Sequence, residues 1–127
     1  VYSHNNSTDY FEPRSTIRFN TIKEGDVSKK SFKRLHRWRY SPTAAYGNNE
    51  VHLHPYKARR ISVSEALAIQ SLPKEFILPR TLSKSEMFKT VGNGVPYLMS
   101  KAIAHSVKDF LTSETGENDN VVHNRRN

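Results

Sequence analysis

Arg59-Arg60-Ile61-Ser62-Val63-Ser64-Glu65-Ala66, then Ile69-Gln70-Ser71-Leu72-Pro73, and further on Val91-Gly92-Asn93-Gly94-Val95-Pro96 ahead of Lys101-Ala102-Ile103, decide how this 127-residue chain folds. Ser62 and Glu65 form a Ser-x-x-Glu capping box, in which hydroxyl and carboxylate each satisfy an orphan backbone donor, so a helix is predicted from Val63. Ala66, Leu67 and Ile69 give it an apolar side and Leu72-Pro73 closes it. Ser83 and Glu86 repeat the pair and predict a short helix ending near Thr90. Gly92-Asn93-Gly94 should break that helix, and Pro96 suits the first turn of another. Val95, Met99, Ala102, Ile103, Val107 and Phe110 recur at three- and four-residue intervals, which predicts a helix to about Leu111 with an apolar stripe. Residues 113–127 are polar and read as a disordered tail.

Upstream the pattern is less regular. Residues 1–12 read as loop. Ser15-Thr16-Ile17-Arg18-Phe19-Asn20 alternates polar and apolar, predicting a half-buried strand with Ile17 and Phe19 inward, and Glu24-Gly25-Asp26 predicts a turn. From Lys29 to Arg39 the chain carries Lys29, Lys30, Lys33, Arg34, Arg37 and Arg39 with no acid, interleaved with Phe32 and Trp38 and followed by Tyr40. Such a mixture suits a surface that meets phosphates and packs flat groups. Ser41-Pro42-Thr43 reads as extended, running into a turn at Gly47-Asn48. Val51 and Leu53 alternate with His52 and His54 as in a short strand with both imidazoles on one face, as polar edge residues or DNA contacts. Without a third ligand at a suitable spacing, the two histidines do not make a zinc site.

Residues 1–60 hold 12 lysines and arginines against 5 acids, whereas residues 61–112 hold 6 against 4 and the last fifteen 2 against 3. Positive charge gathered in one half is the footprint of a polyanion contact, because neutralising phosphates releases counterions. With no cysteine, disulfides, thiolate metal sites and cysteine nucleophiles are excluded. No apolar run approaches the roughly 18 residues of a spanning helix, so no membrane role is expected. The opening Val1-Tyr2-Ser3 matches neither a signal nor a transit peptide and reads as the start of a processed, trimmed or excised chain. At 35% hydrophobic residues, a large independent core is not expected.

The two blocks at 59–73 and 91–103 resemble the ninth and tenth motifs of DNA cytosine-5 methyltransferases of the bacterial restriction-modification type. Their order and separation together are more specific than Gly-Asn-Gly alone. Ser64 stands where that family usually has arginine, and Thr90 where it often has glutamine. The family's catalytic blocks are missing: there is no Pro-Cys, Glu-Asn-Val, Phe-x-Gly-x-Gly or Gln-x-Arg-x-Arg sequence.

The resemblance implies the C-terminal part, or the small subunit, of such an enzyme in the bacterial cytoplasm, inactive without a catalytic portion that carries the Pro-Cys block. Gly92, Asn93 and Gly94 would form one wall of the S-adenosylmethionine pocket. Residues 1–58 would be the end of the target-recognition region on double-stranded DNA, with Lys33, Arg34, Arg37 and Arg39 as contacts and Thr43 close to the DNA backbone. Arg59 and Glu65 would pair internally to orient that region, and residues 59–112 would close the enzyme. The expected fold is a small irregular α+β domain, with short strands first and capped helices after them. Its last helix would pack on a missing α/β cofactor domain, leaving the isolated chain marginally stable. A helix-turn-helix regulator is the other reading, but Pro73, Pro79 and Ser83 lie where that motif needs a tight turn.

Overall fold

A computed structural model describes residues 5–46 and 50–123, with only the backbone for 114–123. Four helices are present among these residues: α1 (Ile17–Thr21), α2 (Val63–Ile69), α3 (Lys84–Asn93) and α4 (Tyr97–His123). The chain divides into two compact units, Val1–Val95 and Pro96–Asn127.

Both capping boxes are formed. Ser62 Oγ accepts the Glu65 N–H while the Glu65 carboxylate accepts the Ser62 N–H, and Ser83 and Glu86 do the same. Each cap stabilises its helix by about 1 kcal/mol. α2 buries Val63, Ala66 and Leu67, α3 buries Met87, Phe88 and Val91, and the two helices pack together. Phe88 lies at the centre, stacked on Phe11 at 5.5 Å and edge-on to Tyr46 at 5.7 Å. Leu35, Tyr46 and Val51 belong to the same core. The core draws on both halves of the chain, because neither short helix can bury its apolar face without the irregular first half.

α2 ends in a Schellman motif: the Leu72 N–H donates to Leu67 O, the Ser71 N–H donates to Ala68 O, and Ser71 takes φ 57°. Serine there costs about 1 kcal/mol relative to glycine. In return, the stop sets Gln70 at the helix end with its side chain turned into the core.

Several sequence expectations are corrected. The strand predicted around Ile17 is helix α1, and Ile17 is exposed; the Ile17 N–H bonds to Ser15 Oγ, and a single hydrogen-bonded turn closes locally where no neighbouring strand is available. Around Val51 and Leu53 there are only isolated bridges, Arg34 to Leu53 and Leu53 to Arg60. Val51, His52, Leu53 and His54 are all buried, so the imidazoles are not edge residues. α3 continues through Gly92 and Asn93 and breaks only at Gly94. α4 runs on to His123, beyond the expected end near Leu111. No proline follows Pro96, and extending an existing helix costs far less than starting one. The turn expected at Gly47-Asn48 and residues 124–127 lie outside the described residues.

Asn6, in what reads as featureless loop, is fully buried. Its side chain accepts the Leu78 N–H at 2.8 Å and donates to Leu78 O at 3.2 Å, tying the first loop to the α2–α3 connection. Its φ of 53° is one that asparagine tolerates better than most residues.

His52 gives a testable pH dependence. Burial, with the Lys33 charge, pushes its pKa down from 6.5 to about 4, and burial also lowers that of His54. The folded-state pKa lies below the unfolded one, so the contribution is complete above about pH 6.5 and is lost as pH falls toward 4. Thermal midpoints should decline between pH 7 and 4. A His52→Gln variant should show a shallower decline, and an identical slope would remove His52 from the account.

Candidate functional site

Gln70 links the two sequence blocks. Its side chain is 4% exposed, and Nε2 donates to Val91 O at 3.0 Å and Gly94 O at 3.3 Å. Both acceptors lie where α3 runs out of intrahelical partners. Gln70 Oε1 is buried and has no hydrogen-bond partner among the described residues. Gly94 is extended at φ −76° and ψ 153°, its N–H bonded to Val91 O, and Asn93 and Gly94 are both exposed. The turn is thus fixed from below by glutamine and open above.

Gly92 serves a different purpose from its neighbours. A Cβ there would lie 3.0 Å from the Tyr46 backbone nitrogen and 3.1 Å from Ala44 O. Its missing side chain admits the 44–46 backbone. Thr43, exposed one residue before that contact, accepts the Ala45 N–H through its backbone oxygen. The end of the first half is therefore seated on the end of α3.

Arg59 and Glu65 form a two-pronged pair, Nη1 to Oε2 at 2.8 Å and Nη2 to Oε1 at 2.7 Å. Glu65 Oε2 also accepts the Ser62 N–H, so one carboxylate both caps α2 and holds Arg59. Burial raises the Glu65 pKa, but the Arg59 hydrogen bonds, the Ser62 N–H and the charges of Arg59 and His54 outweigh it and bring the carboxyl down to about 2. His54 Nδ1 accepts the N–H groups of Tyr56 and Lys57, which leaves the proton on Nε2, 3.5 Å from Glu65 Oε1. Among the described residues, no group of three or more His, Asp or Glu side chains is placed to hold a metal ion.

The basic segment splits into an inward and an outward part. Arg34 donates to Pro55 O, Phe19 O and Ile22 O and covers the Phe19 ring at 4.0 Å. Its guanidinium is therefore engaged within the fold. Arg37 grips Glu24 through Nε at 3.1 Å and Nη2 at 3.3 Å and is half exposed. Phe32 holds φ 62°, a left-handed conformation uncommon for a large side chain, with Arg18 at 4.4 Å and Arg60 at 5.1 Å from its ring. Lys33 is half-buried, whereas Trp38, Arg39 and Tyr40 are exposed. The sequence reading missed Gln70 and Asn6, and it did not separate Arg34 from Arg39. Only the apolar neighbours of Gln70 hinted at its burial.

The relatives are consistent in class. The chain is 64% identical over 112 residues to Type II methyltransferase M.NmeDI of Neisseria meningitidis serogroup C, covering 87% of this chain and 27% of that protein. It is 46% identical over 57 residues to the putative Type II methyltransferase M.OihORF3336P of Oceanobacillus iheyensis, covering 45% of this chain and 12% of that one. It is 26% identical to Type II methyltransferase M.AquIB of Picosynechococcus, covering 87% of this chain and 91% of that one. The chain spans about a quarter of the Neisseria relative and nearly the whole of the Picosynechococcus one. No solved structure matches it. These similarities define the class as that of the Type II DNA methyltransferases. More narrowly, residues 2–109 match the family model for C-5 cytosine-specific DNA methylase, and the chain belongs to that family. The helix-turn-helix reading falls with this match. α2 and α3 are moreover separated by residues 70–83, far more than a tight turn.

Proposed function

We propose that this chain is the recognition and closing portion of a DNA cytosine-5 methyltransferase, acting on double-stranded DNA in the bacterial cytoplasm and inactive without a catalytic portion. The observation that carries the reading is the Gln70 bridge: it fixes the Val91–Gly94 turn while leaving Asn93 and Gly94 exposed. In this reading Asn93 offers a donor and an acceptor, and Gly94 a bare backbone, to one side of an S-adenosylmethionine pocket. The cofactor supplies the methyl group. The residues of this chain hold the turn, seat Thr43 beside it through Gly92, and lock the recognition region through Arg59 and Glu65.

Methylating carbon 5 of cytosine needs a nucleophile on carbon 6, and a thiolate suits because cysteine ionises partly near neutral pH where serine does not. This chain has no cysteine, so the thiolate comes from the partner portion. The target base must also leave the stack. Arg39, and more weakly Lys33 and Arg37, are the DNA contacts; Arg34 is withdrawn from that set.

Met99, Ile103, Val107 and Phe110 of α4 are each more than half exposed. Their spacing forms one apolar stripe, which suits packing against the cofactor domain of the catalytic portion. Among the described residues no helix is long and apolar enough to cross a membrane. Coverage of 91% of M.AquIB supports a separate chain of this length, and coverage of 27% of M.NmeDI is equally what a segment of a longer polypeptide gives. In both arrangements, methyl transfer to cytosine should require this chain together with the Pro-Cys portion.

A further inference from the structure

Trp38 and Tyr40 are 87% and 102% exposed. They are the two most exposed large apolar side chains among the described residues, and such rings offer a flat apolar face with a polar tip to a partner. The segment beneath them is nevertheless fastened. The Arg37 N–H donates to Glu24 Oε1 at 2.9 Å and the Arg37 guanidinium grips the same carboxylate. The Trp38 N–H donates to His36 Nδ1 at 3.0 Å. Gly25, at φ +82°, lies so close that a Cβ would stand 3.0 Å from His36 Cδ2, and its N–H bonds to Leu35 O. The two rings are thus presented from a backbone already ordered, which lowers the ordering cost of binding.

Charge selects the partner. No aspartate or glutamate occurs from Val27 to Asn49, while Lys29, Lys30, Lys33 and Arg39 surround the rings in sequence. That surface complements a polyanion and not an acidic-poor protein face. We infer that Trp38 and Tyr40 form a base-stacking site for DNA bases exposed when the duplex is opened, with Arg39 between them on the adjoining phosphate. The inference rests on the DNA-recognition reading and deepens it. Flat rings stack on any base, so this site contributes affinity for opened DNA rather than sequence choice. Arg34 and the Arg37–Glu24 pair hold the platform from which the rings and Arg39 reach DNA.

The test uses the complete methyltransferase, this chain together with its catalytic portion. The probe is a fluorescent 30-base-pair random-sequence duplex with a central unpaired bubble that carries 5-iodouracil in place of thymine, which cross-links to stacked aromatic side chains under ultraviolet light. Cross-linked peptides carrying Trp38 or Tyr40 are expected. Trp38→Ala and Tyr40→Ala should each weaken binding about tenfold, Trp38→Phe should retain most of it, and the dependence of affinity on salt should be unchanged because no phosphate contact is lost. Thermal melts should match wild type, since exposed rings add little to folding. Salt-sensitive binding with cross-links elsewhere and unaffected alanine variants would overturn the stacking site and leave DNA recognition standing. Alanine variants that bind DNA normally but shed the catalytic portion would make the rings a protein interface and likewise overturn it. Absence of salt-sensitive binding altogether would overturn the recognition reading, and the inference with it.

Discussion

Gly92→Val is expected to lower the thermal midpoint by roughly 10 °C and to abolish methyl transfer at growth temperature. A Cβ at this position already meets backbone, 3.0 Å from Tyr46 N and 3.1 Å from Ala44 O. Backbone cannot rotate away as a side-chain tip can, so valine's two further methyls must push the 44–46 segment off α3 or bend the helix. Overpacking of this kind costs about 1–3 kcal/mol. Moving that segment also withdraws Tyr46, whose ring packs against Phe88 and His52, and displaces the adjacent Thr43. Alanine makes an informative contrast: its single Cβ requires shifts of a few tenths of an ångström, offset by about 1 kcal/mol of helix propensity gained over glycine. Gly92→Ala should therefore melt close to wild type. Calorimetry on both variants checks this, and a valine variant as stable as wild type would show that the close approach constrains nothing.

Gln70→Leu should leave the fold intact and weaken the cofactor site. Removing Nε2 leaves the Val91 and Gly94 carbonyls without this donor, at about 1–3 kcal/mol. The same substitution also removes Oε1, a buried acceptor with no partner among the described residues, which returns part of that cost. The net stability change is accordingly modest, about 1 kcal/mol. The turn loses its two anchors, however, and the KM for S-adenosylmethionine should rise about tenfold with affinity for DNA unchanged. A purely structural glutamine would shift both together or neither. Gln70→Glu sharpens the comparison, because a carboxylate facing two carbonyls is repelled and the turn should open further. An unchanged cofactor KM in both variants, with wild-type DNA affinity, would remove Gln70 from the site.

What could be read from sequence was local. The Ser62 and Glu65 pair and the Ser83 and Glu86 pair are three residues apart, and their hydrogen bonds need only the first turn of a helix. Helix starts at Val63 and Lys84 follow directly from them. The end of α3 was less legible, since Gly92 is an expected helix breaker but sits inside the helix, where its small size admits another segment. Nothing in a two-residue alternation of Val51, His52, Leu53 and His54 discloses that both faces are covered, one histidine meeting Tyr46 and the other Glu65. Arg34 and Arg39 look equivalent in a basic run. Only the fold turns Arg34 onto three backbone carbonyls. Asn6 and Gln70 act across 72 and 21 or more residues of chain, a range over which side-chain identity alone carries no signal.

The division of labour between this chain and a catalytic portion is the account's central claim, and it is tested by a single assay. The proposed Pro-Cys portion is expressed alone and together with this chain, and transfer of labelled methyl from S-adenosylmethionine to DNA cytosine is measured. The account predicts no transfer by either piece alone and cytosine-5 methylation when both are present, whether as two chains or as one. Cytosine methylation by the Pro-Cys portion in the absence of residues 1–127, at the rate seen in their presence, would contradict it.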